Sequence, residues 1–132
     1  GKDQYDGKTL AGGLAPTGMK ERECDNCQCD TVKCLNPTQF DLIRTWANER
    51  GLYENGDPKT QALKLVEEVG EIARAVLKDD FDEVVDGIGD SVVVLTNLAE
   101  LHGVSIEACI ASAYEVISKR TGKMVNGTFV KD

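Results

Sequence analysis

Lys64-Leu-Val-Glu-Glu-Val-Gly-Glu-Ile-Ala-Arg74 is answered further along the chain by Asp86-Gly-Ile-Gly-Asp-Ser-Val-Val-Val-Leu95. Glutamates and aspartates stand at helical spacing inside two of the most hydrophobic segments, where unpaired charge is costly. Residues 67–90 hold nine acids against two bases, so this region carries most of the formal net charge of −8. The acidity therefore marks a site before it marks a bulk property. Working outward, Ala62, Val66, Val69, Ala73 and Val76 share one helical stripe, with Lys64, Glu67, Glu68, Glu71 and Lys78 opposite. Asp57 followed by Pro58 opens this helix as N-cap and first helical residue, and it runs to about Lys78.

The next helix, from about Asp80 to His102, has Phe81, Val85, Ile88, Val92, Leu95 and Ala99 on one stripe and Glu83, Asp86, Asp90 and Asn97 on the other. Val93, Val94 and Leu101 flank the polar stripe, so the helix is apolar nearly all round. One small bundle does not easily bury such a helix on every side, which predicts dimerisation with the carboxylates lining a cleft.

Elsewhere, Asn36 or Thr38 caps a helix over residues 38–50, with Pro37 suited to its first turn and Gly51 ending it; Phe40, Ile43, Trp46 and Ala47 form its apolar face. Trp46 is placed in the core, with stacking on a base as the alternative. Glu54 to Asp57 is a turn. Gly103 and Ser105 separate a last helix whose inner face is Ile106, Ala108, Cys109, Ile110, Ala113, Val116 and Ile117, with Cys109 acting as a small core hydrophobe. Asn126-Gly127 predicts a hairpin in a closing segment rich in Lys and Arg. The fold class is all-α, with a hairpin-like tail.

At 132 residues and 41% hydrophobic content, one packed domain is expected, over 37–132. Residues 1–36 read as a Gly- and Cys-rich arm, thiol-rich without metal, with a zinc site on the four thiolates of Cys24, Cys27, Cys29 and Cys34 as the alternative. The acidic balance disfavours nucleic acid as partner. Val84 to Leu101, interrupted by Asp86, Asp90 and Asn97, falls short of the about 20 apolar residues of a membrane span. With no apolar run for a secretory signal near the N-terminus, the cysteines are expected in a reducing cytoplasm.

Glu67 and Glu71 are four apart, Glu68 and Glu71 three apart, and Asp86 and Asp90 four apart, so each set projects from one side of its helix. Antiparallel packing at about 8–10 Å lets them converge on shared cations. Repelling carboxylates call for a hard divalent ion, Mg²⁺ or in its place Mn²⁺, that keeps positions open for water and phosphate oxygens. A basic tail beside such a site points to a phosphate-bearing substrate, with Lys119, Arg120 or Lys123 offsetting charge on a leaving pyrophosphate. Lys64 is either a partner of Glu68 or a phosphate ligand, and Asn97 either a bundle-specifying polar residue or a ligand-binding amide. No P-loop motif is present.

The Glu67-Glu68-x-x-Glu71 motif, Gly89-Asp90 entering an aliphatic run, Asn97, and the closing Lys119-Arg-x-Gly-Lys-Met-Val-Asn-Gly-x-Phe-Val-Lys131 together resemble the MazG-like nucleotide pyrophosphohydrolases, over residues 38–132. The resemblance implies protomers associating into four-helix bundles, as dimers or tetramers. It also implies Mg²⁺-dependent hydrolysis of nucleoside or deoxynucleoside triphosphates to monophosphate and pyrophosphate. By motif, Glu67, Glu68, Glu71 and Asp90 are the metal set, with one glutamate positioning or deprotonating the attacking water. The sequence departs from the family's E-x-x-D motif at Gly87, three before Asp90. Asp86 is the preferred replacement and Glu83 the lesser candidate. The competing function is a non-enzymatic helical dimer that binds divalent cations or a protein partner.

Overall fold

Thr38 accepts a hydrogen bond from the Asp41 backbone N–H while the Asp41 carboxylate accepts one from the Thr38 backbone N–H, a capping box that starts helix α1, Gln39–Glu49. Pro37 precedes this cap and lies outside the first helical turn, contrary to expectation. The computed structural model describes residues 36–132, and the arm with its four cysteines lies outside them. Gly51, at φ 76°, turns the chain into a short helix α2, Leu52–Asn55, which takes in the first two residues of the turn expected from Glu54. Asp57 caps α3, Pro58–Leu77, through the Thr60 N–H, with Pro58 in its first turn. Asp80 caps α4, Phe81–Leu101, and Ser105 caps α5, Ile106–Ile117. Strands β1, Gly122–Val125, and β2, Thr128–Lys131, pair antiparallel around Asn126 and Gly127, both at positive φ.

Helices α3 and α4 pack along their length as an antiparallel pair. Gly87 sets how closely they approach, since a Cβ there would sit 2.6 Å from Ile72 Cγ1. Gly87→Ala is accordingly expected to cost about 1–3 kcal/mol by overpacking, read as a lower denaturation midpoint; an unchanged midpoint would contradict the contact.

Helix α1 and the short α2 lie against α4. The Tyr53 hydroxyl donates to Asn97 Oδ1 at 2.6 Å, and Asn97 is only 2% exposed. Burial, with Glu100 nearby, pushes the Tyr53 hydroxyl up to about 12, so it stays a donor across the neutral range. Arg44 on α1 grips both oxygens of Glu107 at 2.8 and 2.7 Å and holds Asp41 at 2.7 Å, tying α1 to the start of α5. That guanidinium holds the Glu107 carboxyl below the usual range. Among the described residues, no single helix is long and apolar enough to cross a membrane.

The faces differ from those the periodicity suggests. In α3 the inward positions are Leu65, Glu68, Ile72 and Ala75, and the stripe of Ala62, Val66, Val69, Ala73 and Val76 points outward, with Val66 68% exposed. In α4, Phe81, Ile88 and Leu95 are exposed, whereas Ser91, Thr96 and Asn97 are buried. Ser91 and Thr96 satisfy their hydroxyls on the Gly87 and Val92 carbonyls, one turn back. In α5 only Ile106 is buried, and Cys109 is exposed rather than in the core. Trp46, also expected inside, is 45% exposed, with the Arg50 guanidinium 4.7 Å from its ring centroid. One physical reason covers these cases. These helices are apolar on more than one side, and among the described residues there are partners for one side only.

Candidate active site

The central turns of α3 and the first half of α4 bring acids together across the helix pair. Glu68 occupies an inward position beside Ile72 and is 7% exposed. Its Oε1 lies 3.7 Å from Lys64 Nζ, so Lys64 is seen as an ion-pair partner one turn away. Its other oxygen, Oε2, is buried without a hydrogen-bond partner. Burial first, and then the charges of Asp90 and Glu71, push the Glu68 carboxyl above the usual glutamate range, with Lys64 pulling the other way. Glu68, Glu71 and Asp90 thus form one electrostatic group spanning both helices.

Around this group the other expected residues fall unevenly. Glu67 and Glu71 are exposed on α3, and Asp86 is half-buried on α4. Gly87 faces Ile72, so the position three before Asp90 serves as a helix contact. Glu83 lines a cavity of about 210 Å³ together with Glu71, Arg74, Ala75, Lys78 and Asp80. Asp90 lines another, of about 470 Å³, with Leu42, Ile43, Trp46 and Val93. Trp46 therefore joins the acidic region from α1. Asn97 does not, because its amide oxygen is taken by Tyr53 inside the core. Lys119, Arg120 and Lys123 are exposed at the end of α5 and in the hairpin; Lys119 pairs with Glu115 at 2.7 Å, and none of the three lines either cavity.

Sequence reasoning missed Arg74 and Lys78 as site residues, although Glu71, Arg74 and Lys78 stand at i, i+3 and i+7, the spacing of one helix face. It also missed the apolar floor made by Leu42, Ile43 and Val93, which only tertiary packing assembles.

Among the described residues, no three Asp, Glu, His or Cys side chains are already gathered at metal-binding distance. The donor set nevertheless suits a hard divalent cation. It offers carboxylate oxygens only, one of them buried and unpartnered on Glu68, whose ionisation burial and the neighbouring charges disfavour.

The family model for the MazG nucleotide pyrophosphohydrolase domain matches residues 57–125. A curated relative, an uncharacterized 18.2 kDa protein in the rep-hol intergenic region of Haemophilus phage HP1 (strain HP1c1), is 43% identical over 58 residues, 44% of this chain. The match spans 36% of that relative's length. No solved structure matches the chain significantly.

Proposed function

This chain belongs to the MazG nucleotide pyrophosphohydrolase domain family, and from that membership we propose that it hydrolyses nucleoside or deoxynucleoside triphosphates to monophosphate and pyrophosphate with Mg²⁺, or with Mn²⁺ in its place. The observation that carries the proposal is the buried, unpartnered Oε2 of Glu68, a carboxylate within electrostatic reach of Glu71 on its own helix and of Asp90 on the next. Burying a carboxylate among like charges is costly, and a bound divalent cation offsets that cost.

Glu67, Glu68, Glu71 and Asp90 would hold the metal, with Asp86 or Glu83 in the place left by Gly87. A bound ion of this kind polarises phosphate oxygens and makes water a better nucleophile near neutral pH. The protein's own residues do the rest. A glutamate of the Glu67-Glu68-x-x-Glu71 motif orients the attacking water and takes its proton. Trp46, over the apolar floor of Leu42, Ile43 and Val93, offers an aromatic face to the base. Lys64 moderates the charge of Glu68.

Self-association is part of the proposal. The outward stripes of α3, α4 and α5 would pack against a second copy in a four-helix bundle, as a dimer or a tetramer, in the cytoplasm. A neighbouring copy's Lys119, Arg120 and Lys123 would then be the tail cations that approach the acids.

A panel of ordinary and modified triphosphates incubated with Mg²⁺, with both product ends identified, tests the activity. Monophosphate and pyrophosphate in equal amounts are expected. Divalent-cation binding with no turnover of any nucleotide would overturn the hydrolase and leave the non-enzymatic cation-binding dimer.

A further inference from the structure

We infer that Arg74 and Lys78 hold the leaving pyrophosphate, so that the nucleotide lies along the helix pair with its base toward α1 and its terminal phosphates toward the C-terminal end of α3. This rests on the hydrolase activity proposed above.

The two cavities beside the acidic group differ in chemistry. One has three aliphatic side chains and an indole, with Asp90 on its wall. The other has Arg74 and Lys78, with Glu71 on its wall. Glu68 stands one turn from Glu71 on α3, and the charge of Asp90 reaches it from α4. A nucleoside triphosphate has the same polarity, an aromatic end and a polyanionic end joined through the α-phosphorus.

Arg74 is about 4.5 Å and Lys78 about 10.5 Å along the helix axis from Glu71, within the span of long side chains reaching toward two adjoining phosphates. Neither forms an ion pair among the described residues, although Asp80 and Glu83 line the same cavity. They are cations without a fixed partner, next to a carboxylate of the acidic group. The ordinary role for bases at this place is to complement the negative end of the α3 dipole, and that role predicts an effect on stability alone.

In the reaction the water oxygen bonds to the α-phosphorus as the bond from that phosphorus to the α,β-bridging oxygen breaks. A water proton passes to a glutamate and on to solvent. The pyrophosphate departs with the bridging oxygen and the displaced electron pair, and Arg74 and Lys78 stand where that charge collects.

Calorimetric titration of the full chain with inorganic pyrophosphate and with a nucleoside monophosphate, both with Mg²⁺, tests the assignment. Arg74→Gln with Lys78→Gln should weaken pyrophosphate binding about 10–100-fold, the loss of one or two charge-assisted contacts, and change monophosphate binding less than about twofold. Trp46→Leu should do the reverse, and Arg74→Lys should restore part of the loss. Unchanged pyrophosphate affinity in the double variant, or a drop in melting temperature alone, would overturn the subsite. A wild-type chain that turns over no nucleotide would instead overturn the hydrolase, whatever pyrophosphate binding shows.

Discussion

Glu68→Gln should melt higher than the wild-type chain in the absence of metal, by a few degrees, while its nucleotide turnover falls on the order of 10²–10³-fold. The two effects have one cause. Glu68 is buried beside Asp90 and Glu71, and its carboxyl is held above the usual range by that burial first and by those charges second. The folded chain therefore binds a proton at Glu68 more readily than the unfolded chain does. Stability from this group is fully present below the ordinary glutamate value of 4.5 and is lost as pH rises through the raised folded value. Above that window the metal-free fold carries a buried, repelled charge, which the neutral amide removes. Glu107, with its carboxyl held low by Arg44, works with the opposite sign: its contribution is present above the ordinary value and is lost as pH falls through the folded one. The neutral amide is a much weaker ligand than a carboxylate for a hard divalent cation, so turnover falls with the charge. Mg²⁺ should raise the melting temperature of the wild-type chain, by about 2.7 kcal/mol of stability at a hundredfold excess over its dissociation constant, and should do little for the variant. Melting curves from pH 4 to pH 8 with and without Mg²⁺, set beside turnover, check this. A variant that melts lower without metal, or one that keeps its turnover, would remove Glu68 from the site.

Local signals made the helix boundaries legible in the sequence. Asp57-Pro58, Asp80, Ser105 and Asn126-Gly127 each satisfy or redirect a few backbone groups, and a residue and its near neighbours determine that. That Glu68 and Glu71 lie one turn apart was legible too, because helical spacing fixes it, whereas the reach of Asp90's charge to Glu68 depends on how the two helices pack. What periodicity does not contain is a choice between two apolar sides of one helix. Helix α3 has Leu65, Ile72 and Ala75 on one side and Val66, Val69 and Val76 on another. Glu68 shares a side with the first set, and the glutamate's charge steered the sequence reading to the second as the core. Gly87 decides the matter structurally, since the close approach it permits brings Ile72 and therefore Glu68 inward, and a missing side chain leaves no hydrophobic signal. Trp46 shows the same limit from the other direction: a large aromatic on an amphipathic helix reads as core whether it packs inside or lines the wall of a cavity.

Val69→Asp should convert the protein to monomers and lower its melting temperature by at least about 10 °C, with activity falling in step. The described chain leaves Val66, Val69, Val76, Phe81, Ile88, Ile110, Tyr114 and Ile117 between 50% and 68% exposed. Each large aliphatic kept in water forgoes about 1.5–3 kcal/mol of burial, and three helices that each leave such side chains exposed have much to gain from a covering surface. Helix α5 makes the case most clearly. It has a buried residue only at Ile106, and within the chain it is tied down by the Arg44 clamp on Glu107, while the hairpin beyond it is exposed throughout. A helix with so little burial gains too little to offset its conformational entropy unless another surface covers it. In the proposed self-association a second copy would cover these stripes with its own, and an aspartate at Val69 would then be buried unpaired, at about 3 kcal/mol in each protomer. Sedimentation and melting at several protein concentrations measure both effects. The wild-type melting temperature should rise with concentration, that of Val69→Asp should not, and Val69→Ala should keep the association with a smaller loss. A wild-type chain that sediments as a monomer at tens of micromolar, with a melting temperature independent of concentration, would overturn the self-association and require α5 to be covered by some other partner.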